Sequence, residues 1–237
     1  MISLENARVV YHPKTRNGNP RCVLDVPQLS LEKGKRYALI GPNGAGKTTL
    51  IKVLAQLIPL TSGQVHIDAT ETSGIAYLPQ NPFMFSGTVL HNVSLGLPRD
   101  EKRTDRALAA LGKVGMTDFQ KERASKLSGG EAQRVALARI IAQNQPIILL
   151  DEPTSATDIA GESKIEEALI AYWHESGCTL IFATHSPAQA GRLADEIIVL
   201  EQGRIIEKGA AKQVLGNPKN PHVQTFLNYW RLGERMA

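Results

Sequence analysis

The sequence predicts an α/β fold carrying a helix-rich insert. Three observations support this. Short apolar runs alternate with helix-spaced segments toward both ends of the chain. A glycine-rich loop at residues 41–48 stands between a buried-type strand and a helix. From about residue 82 to residue 142 the strands give way to helices, which marks a second lobe.

The elements follow in order. Residues 2–11 read as a strand, and the Pro, Asn and Gly of residues 13–20 as a loop. Residues 23–31 alternate apolar and polar, as a half-buried strand does. Tyr37, Ala38, Leu39 and Ile40 form a continuous apolar run that stops at Gly41, which suits a strand buried on both faces. Residues 48–58 predict a helix that ends before Pro59. Short strands follow at 64–67 and 74–78.

In the insert, Ala107, Leu108, Leu111 and Val114 fall at helical spacing and stop at Gly115. Residues 131–142 predict another helix, and 147–150 another buried strand. Ile165, Ala168, Leu169 and Tyr172 mark a helix ending near Gly177. Strands at 179–183 and 196–200 follow, and Gln202 and Gly203 turn the chain into 204–207.

With 237 residues, 42% hydrophobic and 21% charged, the chain has the size and make-up of a soluble globular protein with a sizeable core. Its net charge of +4 is mild and its basic residues are scattered, so no nucleic-acid partner is expected. Cys22 and Cys178 lack metal-ligand spacing and read as inert thiols of a reducing compartment. No signal peptide is evident at the start. No stretch approaches the ~20 apolar residues that span a bilayer. If the protein works at a membrane, another chain supplies the crossing.

Gly41, Pro42, Asn43, Gly44, Ala45, Gly46, Lys47 and Thr48 match the pattern of a phosphate-cradling loop. Its glycines let backbone N–H groups wrap an anion, and the helix that follows points its positive end at it. Lys47 is placed to reach the β- and γ-phosphates, and the Thr48 hydroxyl to ligate Mg²⁺. Farther on, the strand at 147–150 delivers Asp151 and Glu152 at its carboxyl end, where α/β sheets bind ligands. Asp151 is the candidate to hold Mg²⁺ and Glu152 the candidate to polarise the attacking water.

The run Leu127, Ser128, Gly129, Gly130, Glu131, Ala132, Gln133, Arg134 places two glycines at the mouth of a helix. Read alone it is either a capping serine with two turn glycines or a second anion site made of a hydroxyl and free helix N–H groups.

The run resembles the signature sequence of the ATP-binding cassette (ABC) family. Tyr11, the cradle through Thr49, Gln80, this run, Asp151 with Glu152, residues 155–158 and His185 arrive in that family's order. The resemblance implies an α/β P-loop NTPase with a RecA-like core and an antiparallel β subdomain at 1–81 and 143–237, and a helical signature subdomain at 82–142. It implies ATP with Mg²⁺ as cofactor, and a homodimer in which each ATP lies between one copy's cradle and the other's Ser128, Gly129 and Gly130. Tyr11 then stacks on adenine, Gln80 touches Mg²⁺ or water, His185 holds the γ-phosphate and Asp158 supports the dimer. Thr157 stands where the family commonly has leucine, which leaves this loop's packing open.

The expected chemistry is in-line attack of water on ATP, with positioning and charge stabilisation carrying the catalysis. The resemblance further implies membrane-spanning permease partners, a solute-binding protein acting through them, and a peripheral place on the cytoplasmic face of the membrane. Phe83, Met84 and Phe85 either dock such a partner or fill the small lobe's core. A small oxyanion (tungstate, molybdate or phosphate) is the expected solute. An importer of another solute, an exporter subunit and a soluble cassette ATPase are the alternatives.

Overall fold

A computed structural model of the chain describes residues 1–11, 19–67 and 74–234, with side chains as far as Trp230. The predicted loop at 13–20 therefore falls, for residues 13–18, outside the described residues. In chain order the elements are β1 (Ile2–Tyr11), β2 (Arg21–Leu31), β3 (Arg36–Ile40), α1 (Lys47–Leu54), β4 (Ser62–Ile67), β5 (Ile75–Leu78), α2 (Val89–Ser94), α3 (Arg103–Lys113), α4 (Gly129–Gln143), β6 (Ile147–Asp151), α5 (Ile159–Ser176), β7 (Thr179–Ala183), α6 (Pro187–Leu193), β8 (Glu196–Glu201), β9 (Arg204–Ala210), α7 (Ala211–Gly216) and α8 (Pro221–Glu234). Among the described residues no helix is long and apolar enough to cross a membrane.

Two compact units divide the chain: Met1–Thr72 with Thr179–Ala237, and Ser73–Cys178. In the first, β1 is the centre of an antiparallel sheet. It pairs with β2 from Ile2↔Leu31 to Tyr11↔Arg21, and with β4 from Ile2↔Ile67. The same unit holds a mixed sheet. There β3 lies parallel to both β7 and β8, and β9 returns antiparallel along β8. Strand β3 is covered on both faces, and Tyr37, Leu39, Ile40, Leu50, Ile51 and Phe182 are fully buried. The Tyr37 hydroxyl accepts the Glu32 N–H at 2.7 Å, so this large ring buries no idle polar atom.

Helix α1 is shorter than the predicted 48–58. Gln56 turns left-handed at φ 58, its N–H reaches the Val53 carbonyl, and the Leu57 N–H reaches Lys52. These two bonds close a Schellman cap before Pro59 is reached.

In the second unit β5 runs parallel to β6, from Ile75↔Ile147 to Leu78↔Leu150. Helices α2, α3 and α4 lie within 89–143, and Leu111, Val114, Met116, Val135 and Leu137 are fully buried. Helix α5 starts earlier than its apolar stripe shows. Asp158 caps it by accepting the Gly161 N–H at 2.8 Å, and Gly177 ends it in the left-handed region.

Candidate functional site

In the first unit β3 delivers the chain into the cradle. Gly41 has φ 145, and a Cβ there would lie 2.1 Å from the Leu200 carbonyl oxygen. Only glycine lets the loop leave β3 this close to β8. Gly46 is left-handed and opens α1 with no side-chain cap. Helix α1 therefore begins directly at the end of the loop, with Lys47 as its first residue.

The Lys47 ammonium donates to the Gly41 carbonyl at 2.7 Å and to Pro42 at 3.1 Å, and the residue is only 5% exposed. Burying a charge requires such partners. Pro42, Asn43, Gly44 and Ala45, with Arg21, Cys22, Val23, Glu201 and Gln202, line an open depression of about 520 Å³.

Strand β7 runs parallel to β3, the strand that leads into the cradle. Leu39 pairs with Ala183, and the Thr184 N–H donates to the Leu39 carbonyl at 3.1 Å. Half-buried His185 follows Thr184 directly, two residues past the carboxyl end of β7. Tyr11 ends β1 opposite Arg21 and is 51% exposed, so its ring is no core residue. It does not line the depression, although its strand partner Arg21 does.

In the second unit the pairing of β5 with β6 carries Gln80 and Glu152 out together. The Gln80 carboxamide donates to the Glu152 carboxylate at 2.7 Å. Glu152 is left-handed at φ 52, an uncommon conformation for a residue with a Cβ. Asp151 is 2% exposed. Burial, with the Asp151 charge adding to it, pushes the Tyr77 hydroxyl up to about 12. The backbone carbonyl of Glu152 accepts from Gln133 Nε2 at 3.3 Å. Gln133 lies in the signature-like run, but nothing in its spacing shows which strand it faces.

Ser128 caps the start of α4, as the first of its two sequence readings expects. Ser128 and Glu131 form a reciprocal capping box: the Ser128 N–H and hydroxyl donate to the Glu131 carboxylate at 2.8 Å each, and the hydroxyl accepts the Glu131 N–H at 3.4 Å. The Ser128 backbone N–H first, then its hydroxyl, hold the Glu131 carboxyl below its ordinary range. The glycines also serve packing inside the chain. A Cβ on Gly130 would lie 3.1 Å from the Ala156 carbonyl oxygen, and one on Gly129 3.4 Å from the Ala156 Cβ. Close approach of α4 to the loop before α5 is thus one reason for small residues here. In that loop the Thr157 hydroxyl donates to the Thr154 carbonyl at 2.8 Å, so a threonine satisfies the turn locally.

Phe83 and Phe85 are 69% and 46% exposed, which removes the core reading for both. Their rings meet edge to face at 5.0 Å, and the Arg139 guanidinium stands 5.3 Å from the Phe85 ring centre. Buried Asn92 holds the backbone of Phe85 at both its N–H and its carbonyl. Asn92 and Arg139 were not legible as site residues in the sequence, since both lie in ordinary helical stretches.

The profile of the family described as ABC transporter matches residues 24–155. The chain is 36% identical to the phosphate import ATP-binding protein PstB 2 of Natronomonas pharaonis over 231 residues, covering 87% of this chain and 81% of that protein. It is 33% identical to the molybdate/tungstate import ATP-binding protein WtpC of Thermococcus kodakarensis over 223 residues, covering 88% and 67%. Other relatives, at 30% and 32% identity, carry transport names for spermidine/putrescine and for glycine betaine/proline betaine. Among solved structures, a dimeric post-hydrolysis state of the ATP-binding cassette MJ0796 bound to ADP and Pi superposes with a TM-score of 0.79. It is 29% identical, with 89% of this chain and 99% of that one covered.

Proposed function

This chain belongs to the ABC transporter family and is an ATPase of it, and we propose that it is the ATP-hydrolysing subunit of a membrane importer. The observation that carries the reading is the cradle, where a buried ammonium sits over a loop that only glycine can form at its first position. Backbone N–H groups of 41–49 and Lys47 bind the phosphates of ATP. Tyr11 receives the adenine, a role that its exposed ring permits. Thr48, Gln80 and Asp151 offer a hydroxyl, a carboxamide oxygen and a carboxylate, the hard oxygen donors that Mg²⁺ takes. When bound, that ion neutralises phosphate charge.

Glu152 orients the attacking water and takes its proton, and the hydrogen bond from Gln80 fixes the carboxylate for that task. His185 and Lys47 stabilise charge on the transferring phosphoryl group. Ser128, Gly129 and Gly130 of a second copy close the site, so that ATP joins a homodimer, with Asp158 supporting the contact. This requires only that ATP bind the closed state better than the open one.

The exposed pair Phe83 and Phe85, braced by Arg139 and Asn92, is the proposed dock for a membrane-spanning permease. The chain then sits peripherally on the cytoplasmic face of the membrane, and a solute-binding protein acts through the permease. The import names of its relatives support uptake of a small solute, and the two quoted at 36% and 33% identity support an oxyanion. Two measurements test the reading. Purified protein should hydrolyse ATP and lose that activity on Lys47→Ala, and affinity capture from its own membranes should bring down a multi-span protein. Activity without such a partner would favour a soluble cassette ATPase.

A further inference from the structure

Gln133 stands on α4 five residues after Ser128, and its side chain is fully buried. Its Nε2 donates to the Glu152 backbone carbonyl at 3.3 Å. Its Oε1 is buried and has no hydrogen-bond partner among the described residues. A buried acceptor left unfilled is destabilising, and an apolar residue of similar length would avoid the cost. Packing therefore does not account for a carboxamide at this position. The contact with Glu152 does, because it acts on the residue whose backbone is the least relaxed of the strand end, at φ 52.

We propose that Gln133 is a positioning residue for hydrolysis: its carboxamide holds the backbone of Glu152, and thereby the angle at which the Glu152 carboxylate meets water. Gln80 holds the same residue by its side chain, so Glu152 is fixed from both ends. Helix α4 then carries the Ser128 capping box at its start and a grip on Glu152 on its second turn. A shift of α4 when its first turn meets a second copy's nucleotide is felt at the reacting carboxylate. The inference rests on the role proposed for Glu152.

Gln133→Met removes the N–H donor while keeping side-chain length and an unbranched stem. Its kcat should fall by about tenfold while the KM for ATP stays near the parent value, a split that marks loss of an interaction made in the transition state. The same substitution in a Glu152→Gln background should leave the residual rate unchanged, because the group it positions is already gone. A parental kcat in Gln133→Met overturns the inference, as does an equal loss in both backgrounds, which would mark a packing role. Gln133→Leu is the second variant, and failure of both to fold also overturns it. If Glu152→Gln itself turns over at the parent rate, the function assigned to Glu152 fails instead.

Discussion

The Gln80 carboxamide and the Glu152 carboxylate are joined by a 2.7 Å hydrogen bond at the ends of two parallel neighbours, β5 and β6. A flexible acid is thereby held in one orientation, as the role proposed for Glu152 requires. Glu152→Gln should keep ATP binding and lose turnover by at least ~100-fold, the usual worth of a positioned general base. Gln80→Ala keeps the carboxylate but releases it, so a smaller loss of roughly tenfold is expected. Steady-state hydrolysis beside a nucleotide-binding titration checks both. A Gln80→Ala loss as large as that of Glu152→Gln would contradict this ordering.

The cradle glycines should differ in why they matter. At Gly41 an added methyl would run into the Leu200 carbonyl oxygen, so Gly41→Ala should cost more than ~2 kcal/mol by overpacking and strain. At Gly44 nothing lies within 4 Å and only the φ of 75 opposes a side chain. Gly44→Ala should cost about 1 kcal/mol. Urea melts of the two variants decide the matter, and equal losses would contradict the packing argument.

The capping box makes part of the stability pH-dependent. Glu131 is held below its ordinary range in the folded chain, by the Ser128 N–H first. Its contribution is thus present above the unfolded carboxyl pKa and is lost as pH falls through the lower folded value. Glu131→Ala should be less stable than the parent near neutral pH, and the gap should close below about pH 4. Denaturation midpoints across that window test it, and a gap that does not change with pH would count against it.

The exposed aromatic pair gives a separable prediction. Phe85→Glu removes the ring under Arg139 and sets a charge on the proposed dock. Capture of the membrane-spanning partner should be lost, while ATP binding by the isolated chain stays at the parent level. Retained capture would place the dock elsewhere.

Much of the fold was legible because its strands are unusually plain. β3, β6 and β7 are almost wholly buried, so each reads as an unbroken apolar run between turn residues. The short helices were harder. α2 and α6 are set by local caps, with Thr88 accepting the His91 N–H and Ser186 the Gln189 N–H, and neither is long enough to show a period. The sequence placed Gln80, Asp151 and Glu152 among the candidates because each falls in a recognisable order. It assigned no role to Gln133, Asn92 and Arg139, whose contacts join distant segments.

The proposed mechanism has each nucleotide cleaved between two copies of the chain. The most direct test is a crystal structure of Glu152→Gln grown with ATP and Mg²⁺. The expected result is a dimer in which the Ser128 hydroxyl of one copy lies roughly 3 Å from a γ-phosphate oxygen of the ATP held by residues 41–48 of the other. A structure in which Ser128 stands far from every terminal phosphate, with Glu131 still capping it, would rule out a nucleotide site shared between two copies.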